Sequence, residues 1–199
     1  HHFFRREKQV RERIEKLERT RFLAIVGSSG CGKSSLIKAG LLPELFKSKQ
    51  VGSALPWHFS MFRPAEDPLG NLCRALSDGK YDPEKLMTQL RSGDDGLVKA
   101  VSGLLLKSQP ALIYIDQFEE LFRFKRGGVF SQSASEAKLF IRLIIHAVEQ
   151  TEVPVSIVLS MRTDFLDECT EFIGLSELIN TGYYLVPRMN NDERRLAIT

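Results

Sequence analysis

The chain has 199 residues, which is enough for one α/β domain with a substantial core and short for two. With 43% hydrophobic and 27% charged residues its composition is that of an ordinary globular protein, and no apolar run approaches the roughly 18 residues of a membrane-spanning helix. The formal net charge of +3 is too small to argue by itself for nucleic acid or an anionic membrane as a partner.

Residues 3–20 predict an amphipathic helix at the edge of the domain. Val10, Ile14 and Leu17 fall at helical spacing, and charged residues occupy the other faces. Arginine and lysine are frequent, but glutamates are interleaved with them, which favours a solvated helix face over a nucleic-acid-binding arm.

The most informative stretch is a glycine-rich loop between a predicted strand at 22–26 and a predicted helix. Residues 27–34 read Gly-Ser-Ser-Gly-Cys-Gly-Lys-Ser and satisfy the pattern G-x-x-x-x-G-K-[ST]. Glycines let successive backbone N–H groups point at phosphate oxygens, and the start of a helix favours an anion there. The predicted nucleotide-binding residues are Gly27, Ser28, Ser29, Gly30, Cys31, Gly32, Lys33, Ser34 and Ser35.

Two residues of this loop are assigned specific chemistry. Lys33 is expected to reach the β- and γ-phosphates, and the Ser34 hydroxyl to coordinate Mg²⁺. Cys31 is interpreted as a small residue tolerated at a variable loop position, in preference to a reactive thiol.

The three cysteines, Cys31, Cys73 and Cys169, lie far apart in the sequence and lack C-x-x-C spacing. They predict neither a disulfide framework nor a zinc site. Free thiols fit a reducing, cytoplasmic setting.

After the loop, a helix is predicted to run to about Leu42, where Pro43 ends it. The remaining strands are predicted at 56–63, 111–115, 153–161 and 183–186. The remaining helical segments are predicted at 68–77, 83–90, 96–107, 118–124, 134–150, 164–169, 172–179 and from 190 onward. Five strands alternating with helices predict an α/β fold, a doubly wound parallel five-stranded sheet of the P-loop NTPase type flanked by helices.

Ligands of such sheets bind beyond the carboxyl ends of the strands, and two further strand ends carry chemistry. The strand 111–115 ends in Asp116, the pattern of a Walker B site, so Ser34 and Asp116 are the predicted metal ligands. One of Glu119 and Glu120 is expected to polarise the attacking water. The alternative is a pair of exposed glutamates in a first helical turn.

Arg162 ends the strand 153–161. An arginine at a strand tip beside a nucleotide can contact the γ-phosphate and sense its presence. The alternative is a surface ion pair with Asp164 or Asp167.

Several strings together resemble the novel STAND NTPases, signal-transduction ATPases related to the AAA+, NACHT and apoptotic ATPase groups. They occur in the family's order over nearly the whole chain. The strings are Phe-Phe-Arg-Arg-Glu at 3–7, the phosphate loop, Ala-Gly-Leu-Leu-Pro at 39–43, Asp-Gln-Phe-Glu-Glu-Leu-Phe at 116–122, Arg-Thr-Asp-Phe-Leu at 162–166 and the closing segment 187–198.

The resemblance implies that the strand ending at Arg162 lies between the phosphate-loop strand and the Asp116 strand. It implies that Asp116, Glu119 and Glu120 match the acidic positions of the NACHT Walker B pattern, and that Arg162 matches the first sensor. It also implies an adenine contact at Arg6. Two positions depart from the family pattern: Arg5 stands where glycine is expected, and Arg188 is an extra residue in the closing motif.

The resemblance further implies a domain organisation. Residues 1–199 are expected to be a single P-loop NTPase core, with 3–20 as its N-terminal edge helix and 188–199 as the start of a following helical region. The chain is expected to be part of a larger protein whose sensor and effector domains lie outside it.

The hypothesis is an ATP-binding, slowly hydrolysing molecular switch that uses ATP, ADP and Mg²⁺. In the full-length protein it would self-associate through the ATPase core and signal, with a role in defence or cell death implied by the family alone. A nucleic-acid or membrane partner is not expected. A DNA-associated AAA+ loader or motor is the main alternative. A small-molecule kinase is a second alternative, in which residues 123–128 would form the lid over the active site. An ATP-binding-cassette subunit is disfavoured because no Leu-Ser-Gly-Gly-Gln string occurs.

Overall fold

The computed structural model describes residues 2–47, 55–126 and 131–187, with side chains for 10–47, 55–123 and 134–187. These residues form a five-stranded parallel sheet with helices on both faces, so the predicted fold class is confirmed. The strands are β1 (Phe22–Gly27), β2 (His58–Phe62), β3 (Ala111–Ile115), β4 (Val155–Arg162) and β5 (Tyr183–Leu185). The helices are α1 (His2–Thr20), α2 (Lys33–Ser35), α3 (Leu42–Lys47), α4 (Pro68–Ser77), α5 (Pro83–Leu90), α6 (Gly96–Leu104), α7 (Glu120–Arg126), α8 (Ser131–Glu149) and α9 (Leu175–Thr181).

The strand order is β2-β3-β4-β1-β5. Strand β4 therefore lies between β1 and β3, as the family resemblance implies. In the register, Gly27 is opposite Arg162, and Ile115 is opposite Leu159. Because all strands run parallel, their carboxyl ends meet at one edge, which brings together the phosphate loop, Asp116 and Arg162.

The sheet separates two apolar layers because alternate side chains of each strand point to opposite faces. Leu23 and Ile25 of β1 pack with α1 and with the helix that follows the phosphate loop. Phe22, Ala24 and Val26 pack on the other face, in the core that includes α4, α5, α6, α8 and α9. Strand β1 is thus buried on both faces, as its continuous apolar sequence predicts.

The helix after the phosphate loop departs from the prediction that Pro43 ends it. Helix α2 passes through a π-helical turn, Leu36–Leu41, into α3, which contains Pro43 near its start. The Leu42 N–H bonds to the Ile37 carbonyl, five residues back. Proline has no N–H to donate and clashes with the preceding turn of a regular helix, but it is tolerated in the first turn of a new one. The wider π-turn supplies that new start.

Other differences are shifts of element ends. Strand β4 begins at Val155, α6 ends at Leu104, and the predicted helix 164–169 consists of short 3-10 turns, Thr163–Phe165 and Asp167–Glu171. Helix α9 begins only after Gly174, whose φ of 84° lies in the left-handed region and interrupts the helix predicted at 172–179. The segment predicted from 190 onward, Arg188 and the glycines at 127 and 128 lie outside the described residues. No helix in the described ranges combines the length and apolarity needed to cross a membrane.

Candidate nucleotide-binding site

The phosphate loop is a tight turn that only glycine fits at several positions. Gly30 and Gly32 have φ of 72° and 87°, in the left-handed region that favours glycine. At Gly27, a Cβ atom would lie 2.5 Å from the Sγ of Cys31, which is itself buried. Ser29 and Ser35 are exposed and Ser28 is half-buried. The backbone is therefore folded closely enough to cradle a phosphate group.

Lys33 is folded back over its own loop. Its Nζ donates to the carbonyl oxygens of Gly27, at 3.0 Å, and Ser28, at 2.9 Å, and lies 4.0 Å from the Sγ of Cys31. The ammonium group is thus held above the loop. Phosphate oxygens carry charge and are stronger acceptors than these neutral carbonyls.

Asp116 contacts residues from several elements at the carboxyl edge of the sheet. Its Oδ1 accepts hydrogen bonds from Ser34 Oγ at 3.3 Å, Tyr114 OH at 2.8 Å and Ser160 Oγ at 2.8 Å. Its Oδ2 lies 3.9 Å from Lys38 Nζ and 3.6 Å from Arg63 Nη2. The two predicted metal ligands, Ser34 and Asp116, are therefore in contact.

The surroundings of Asp116 keep its carboxylate ionised. Burial alone would raise its pKa, but hydrogen bonds from Ser160 and Tyr114 and the charges of Arg63 and Lys38 outweigh that effect and hold the pKa below its ordinary value. Burial raises the pKa of the Tyr114 phenol, so this hydroxyl remains a proton donor.

Ser160 fixes the turn that follows Asp116. Its Oγ accepts the Gln117 N–H at 3.1 Å, and its carbonyl accepts the Phe118 N–H at 2.9 Å. Gln117 has φ of 53°, which is uncommon for a residue with a side chain. These hydrogen bonds connect the end of β4 to the turn that follows β3, next to the Asp116 carboxylate.

Glu119 and Glu120 occupy different environments. Glu119 is only 5% exposed, and its Oε2 has no hydrogen-bond partner among the described residues. Glu120 Oε2 accepts the Ala65 N–H at 3.3 Å, and its Oε1 accepts from the Gln117 side-chain amide at 2.9 Å once the amide oxygen and nitrogen are exchanged. The alternative of two exposed glutamates is wrong for Glu119.

Arg162 pairs with Asp164, the contact named above as the alternative to phosphate sensing. The hydrogen bond from Arg162 holds the pKa of Asp164 below its ordinary value. The buried Nε of Arg162 has no partner within the described part of the chain, and the guanidinium carbon lies 5.8 Å from the centre of the Phe165 ring.

The structure adds residues that the sequence analysis missed, and it does not describe the side chain of one predicted residue. Tyr114 and Ser160 are hidden in apolar strands, although each lies two residues before a predicted site residue and so on the same face of its strand. Arg63 follows the last residue of β2, where the rule that strand ends carry chemistry points to it. The Arg6 side chain lies outside the described part, and its adenine contact stays a prediction.

The donor set fits Mg²⁺ bound together with phosphate. Within the described ranges no three His, Cys, Asp or Glu side chains converge as a metal centre. Mg²⁺ is commonly held by one or two protein oxygens, with phosphate oxygens and water completing the shell. Ser34 Oγ and Asp116 supply such oxygens.

A buried strand, a glycine-rich loop closed by Lys33 and Ser34, and an aspartate two strands away define the class of P-loop NTPases. The chain belongs to the novel STAND NTPase 1 family, whose sequence profile matches residues 1–199. The family resemblance is thereby confirmed. A comparison with curated protein sequences gave no match.

Two structures of the ORC2 protein from Aeropyrum pernix are similar to this chain. The ADP form has a TM-score of 0.61 at 14% sequence identity, over 96% of this chain and 50% of that chain. The form described as ADPNP-ADP complexes has a TM-score of 0.61 at 15% identity, over 97% and 49%. The chain spans about half the length of these proteins, and a likeness at this identity shows the fold alone.

Proposed function

We propose that the chain is the nucleotide-binding core of an ATP-dependent switch that binds ATP or ADP with Mg²⁺ and hydrolyses ATP slowly. The contact between Ser34 and Asp116 carries this proposal. It joins the phosphate loop to an ionised carboxylate across two strands, which is the arrangement that holds a nucleotide-bound metal. Mg²⁺, when bound there, would neutralise phosphate charge and orient the transferred group.

The loop residues would bind the phosphates. Backbone N–H groups from Gly27 to Ser35 would face the phosphate oxygens, and Lys33 would exchange the carbonyls of Gly27 and Ser28 for them. Asp116 stays ionised because Tyr114 and Ser160 donate to its Oδ1, and this leaves Oδ2 facing the cations.

We assign the water-activating role to Glu119. Its Oε2 is buried and has no partner among the described residues, whereas Glu120 is held by Ala65 and by Gln117. A general base needs an oxygen free to take the proton of water. Glu120 would position the turn.

Arg162 would distinguish ATP from ADP. It would exchange Asp164 for the γ-phosphate, and only ATP offers that group. A switch requires contacts that differ between its two states, and this exchange supplies one.

Support for the biological setting comes from the family and from the related fold. The similar ORC2 structures are an ADP form and ADPNP-ADP complexes, which favours an adenine nucleotide here. Self-association through the core, coupling to sensor and effector domains and a signalling role, including defence, are proposed from family membership. The cysteines described as free, Cys31, Cys73 and Cys169, fit a cytoplasmic setting.

The test is calorimetric binding of ATP, ADP and GTP with Mg²⁺, with phosphate release measured with and without DNA. We expect adenine nucleotides to bind, turnover to be slow and DNA to have no effect. Lys33→Ala should abolish detectable binding, while Lys80→Ala, at an exposed lysine outside this site, should bind like the wild type. Unchanged ATP affinity in Lys33→Ala would contradict the phosphate-loop assignment. A strong rise in the rate of ATP hydrolysis with DNA would favour the alternative of a DNA-associated AAA+ loader or motor.

A further inference from the structure

Arg63 and Lys38 face the oxygen of Asp116 that receives no hydrogen bond within the described residues. The donors Ser34, Tyr114 and Ser160 all contact Oδ1. Oδ2 has Arg63 Nη2 at 3.6 Å and Lys38 Nζ at 3.9 Å. These distances are too long for hydrogen bonds and correspond to charge compensation.

The two cations reach Asp116 from different elements. Lys38 belongs to the π-helical turn after the phosphate loop, and Arg63 directly follows β2. Their side chains are 47% and 54% exposed, while the Asp116 side chain is 4% exposed. A buried carboxylate is thus balanced by the charges of two half-exposed side chains.

The same Nη2 of Arg63 also has a second partner, the Gln117 side chain. With the Gln117 amide exchanged, its oxygen accepts from Arg63 Nη2 at 3.2 Å, and its nitrogen donates to Glu120. The backbone N–H of Ala65, two residues after Arg63, donates to the same Glu120 carboxylate. Arg63 therefore lies between Asp116 and the turn that carries Glu119 and Glu120.

We propose that Arg63 is a tethered counterion of the Mg²⁺ site. It balances Asp116 Oδ2 when no metal is bound, and when Mg²⁺ binds it moves away from that oxygen and keeps its contact with Gln117. A guanidinium and a divalent cation repel each other at such distances, so both cannot stay beside one oxygen. The metal would thereby act on the turn of Glu119 and Glu120 through Arg63. This inference rests on the proposed nucleotide site.

The test uses ADP binding as a function of Mg²⁺ concentration, with thermal unfolding as a second readout. In Arg63→Gln, the Mg²⁺ concentration that gives half-maximal ADP binding should fall by about fivefold, the effect of one unit charge at about 4 Å in a water-like medium. The melting temperature without ligand should fall, because Asp116 loses a compensating charge, and Mg²⁺ with ADP should restore most of it. Arg63→Lys, which keeps the charge, should need nearly as much Mg²⁺ as the wild type.

The matched control is Arg74→Gln. Arg74 is similarly exposed, at 66%, and pairs with Asp67 and Asn71 away from Asp116. It should leave the Mg²⁺ requirement unchanged. If Arg63→Gln does not fold, Arg63→Met keeps an unbranched stem and is measured in the same way.

The outcomes separate the two proposals. If the wild type does not bind ADP at any Mg²⁺ concentration, the proposed function fails and this inference with it. If the wild type binds ADP in a Mg²⁺-dependent way but Arg63→Gln has the same or a higher Mg²⁺ requirement, only the inference is overturned. A higher Mg²⁺ requirement in Arg63→Gln would mean that Arg63 binds the phosphates of ADP.

Discussion

Arg162 faces Gly27 across the neighbouring strands β4 and β1, while its guanidinium is bound by Asp164. The arginine thus stands next to the first residue of the phosphate loop and has an acidic partner two residues away. A γ-phosphate at the loop would have to compete with that carboxylate. The pair is exposed at Asp164, so the competition takes place in a solvent-screened environment.

Removing the Asp164 carboxylate, which competes with the γ-phosphate for Arg162, should strengthen the preference for ATP over ADP. In Asp164→Ala we expect the affinity for ATP relative to ADP to rise by about twofold to fivefold, the range of exposed ion pairs. Arg162→Ala should reduce the preference for ATP. Asp167→Ala removes an exposed acid nearby and should match the wild type. Calorimetric titrations of both nucleotides measure the ratio, and a lowered ratio in Asp164→Ala would show that Asp164 assists Arg162.

Ser160 should be important for stability as well as for binding. Ser160→Ala removes a donor to a buried carboxylate and the acceptor of the Gln117 N–H, so unfolding should be easier by about 1.5–3 kcal/mol. Urea unfolding followed by fluorescence of the single tryptophan, Trp57, measures this. Ser156→Ala changes another buried serine of β4, away from Asp116, and should cost less. Equal costs would mean that the hydrogen bonds to Asp116 and Gln117 add no stability.

Gly27→Ala tests how tightly the phosphate loop is packed. The added Cβ would lie 2.5 Å from Cys31 Sγ and 3.2 Å from Val186 Cβ, so the loop must shift. We expect a lower melting temperature, by about 2–4 °C for each kcal/mol lost in a chain of this size, and weaker nucleotide binding. Cys31→Ala combined with Gly27→Ala should recover part of both losses. No recovery would indicate that the clash with Val186 is the main one.

The stability contributed by Asp116 should depend on pH in one direction. Burial opposes ionisation, but Ser160, Tyr114 and the cations hold the pKa of Asp116 below its ordinary value of 3.8, so the unfolded chain takes up the proton first. Its contribution is complete above pH 3.8 and is lost as the pH falls through the folded-state pKa. The free energy of unfolding of the wild type should therefore exceed that of Asp116→Asn at neutral pH. This difference should shrink below pH 3.8. Urea titrations between about pH 3 and pH 7 measure it, and a constant difference would contradict the depressed pKa.

Substitutions of Glu119 and Glu120 should have different effects on the rate of ATP hydrolysis and on the melting temperature. Glu119→Gln replaces a buried carboxyl group whose Oε2 has no hydrogen-bond partner among the described residues, so the melting temperature should rise, while ATP turnover should fall by about 10²–10⁴-fold. Glu120→Gln should have the smaller effect on turnover and should lower the melting temperature, because it weakens the contact with Ala65. Turnover is measured by phosphate release, and melting by fluorescence. A larger loss of turnover in Glu120→Gln would reverse the assignment.

The sequence predicted the parts of this site that stand at the ends of apolar runs. Gly27, Asp116 and Arg162 each stand at the end of a predominantly apolar strand, and parallel strands place such residues at a common edge. Ser160 is different, because a hydroxyl within a buried strand looks like any tolerated small residue until its partner is known.

Local sequence patterns are less informative where a contact depends on elements that are distant in the chain. Arg63 follows a strand with mixed polarity, and its closeness to Asp116 depends on the pairing of β2 with β3, which local periodicity does not contain. The prediction that Pro43 ends the helix is wrong for a related reason. Proline is incompatible with a regular helix interior, and the π-turn that accommodates it is stabilised by Ile37 and Leu41 packing on the sheet.

The position of β1 has a consequence for the order of folding. Its two neighbours, β4 and β5, come from the last part of the described chain. Phe22 can therefore pair with Ile157, and Ala24 with Tyr183, only after these late segments have been synthesised. Pairing between such distant segments carries a large loop-closure cost and is slow. As the chain leaves the ribosome, β2 and β3 can pair first, while the glycine-rich loop is already made but has no sheet to hold it. If the proposed nucleotide site is correct, a bound nucleotide would stabilise only the final stage of folding, after β4 has been synthesised.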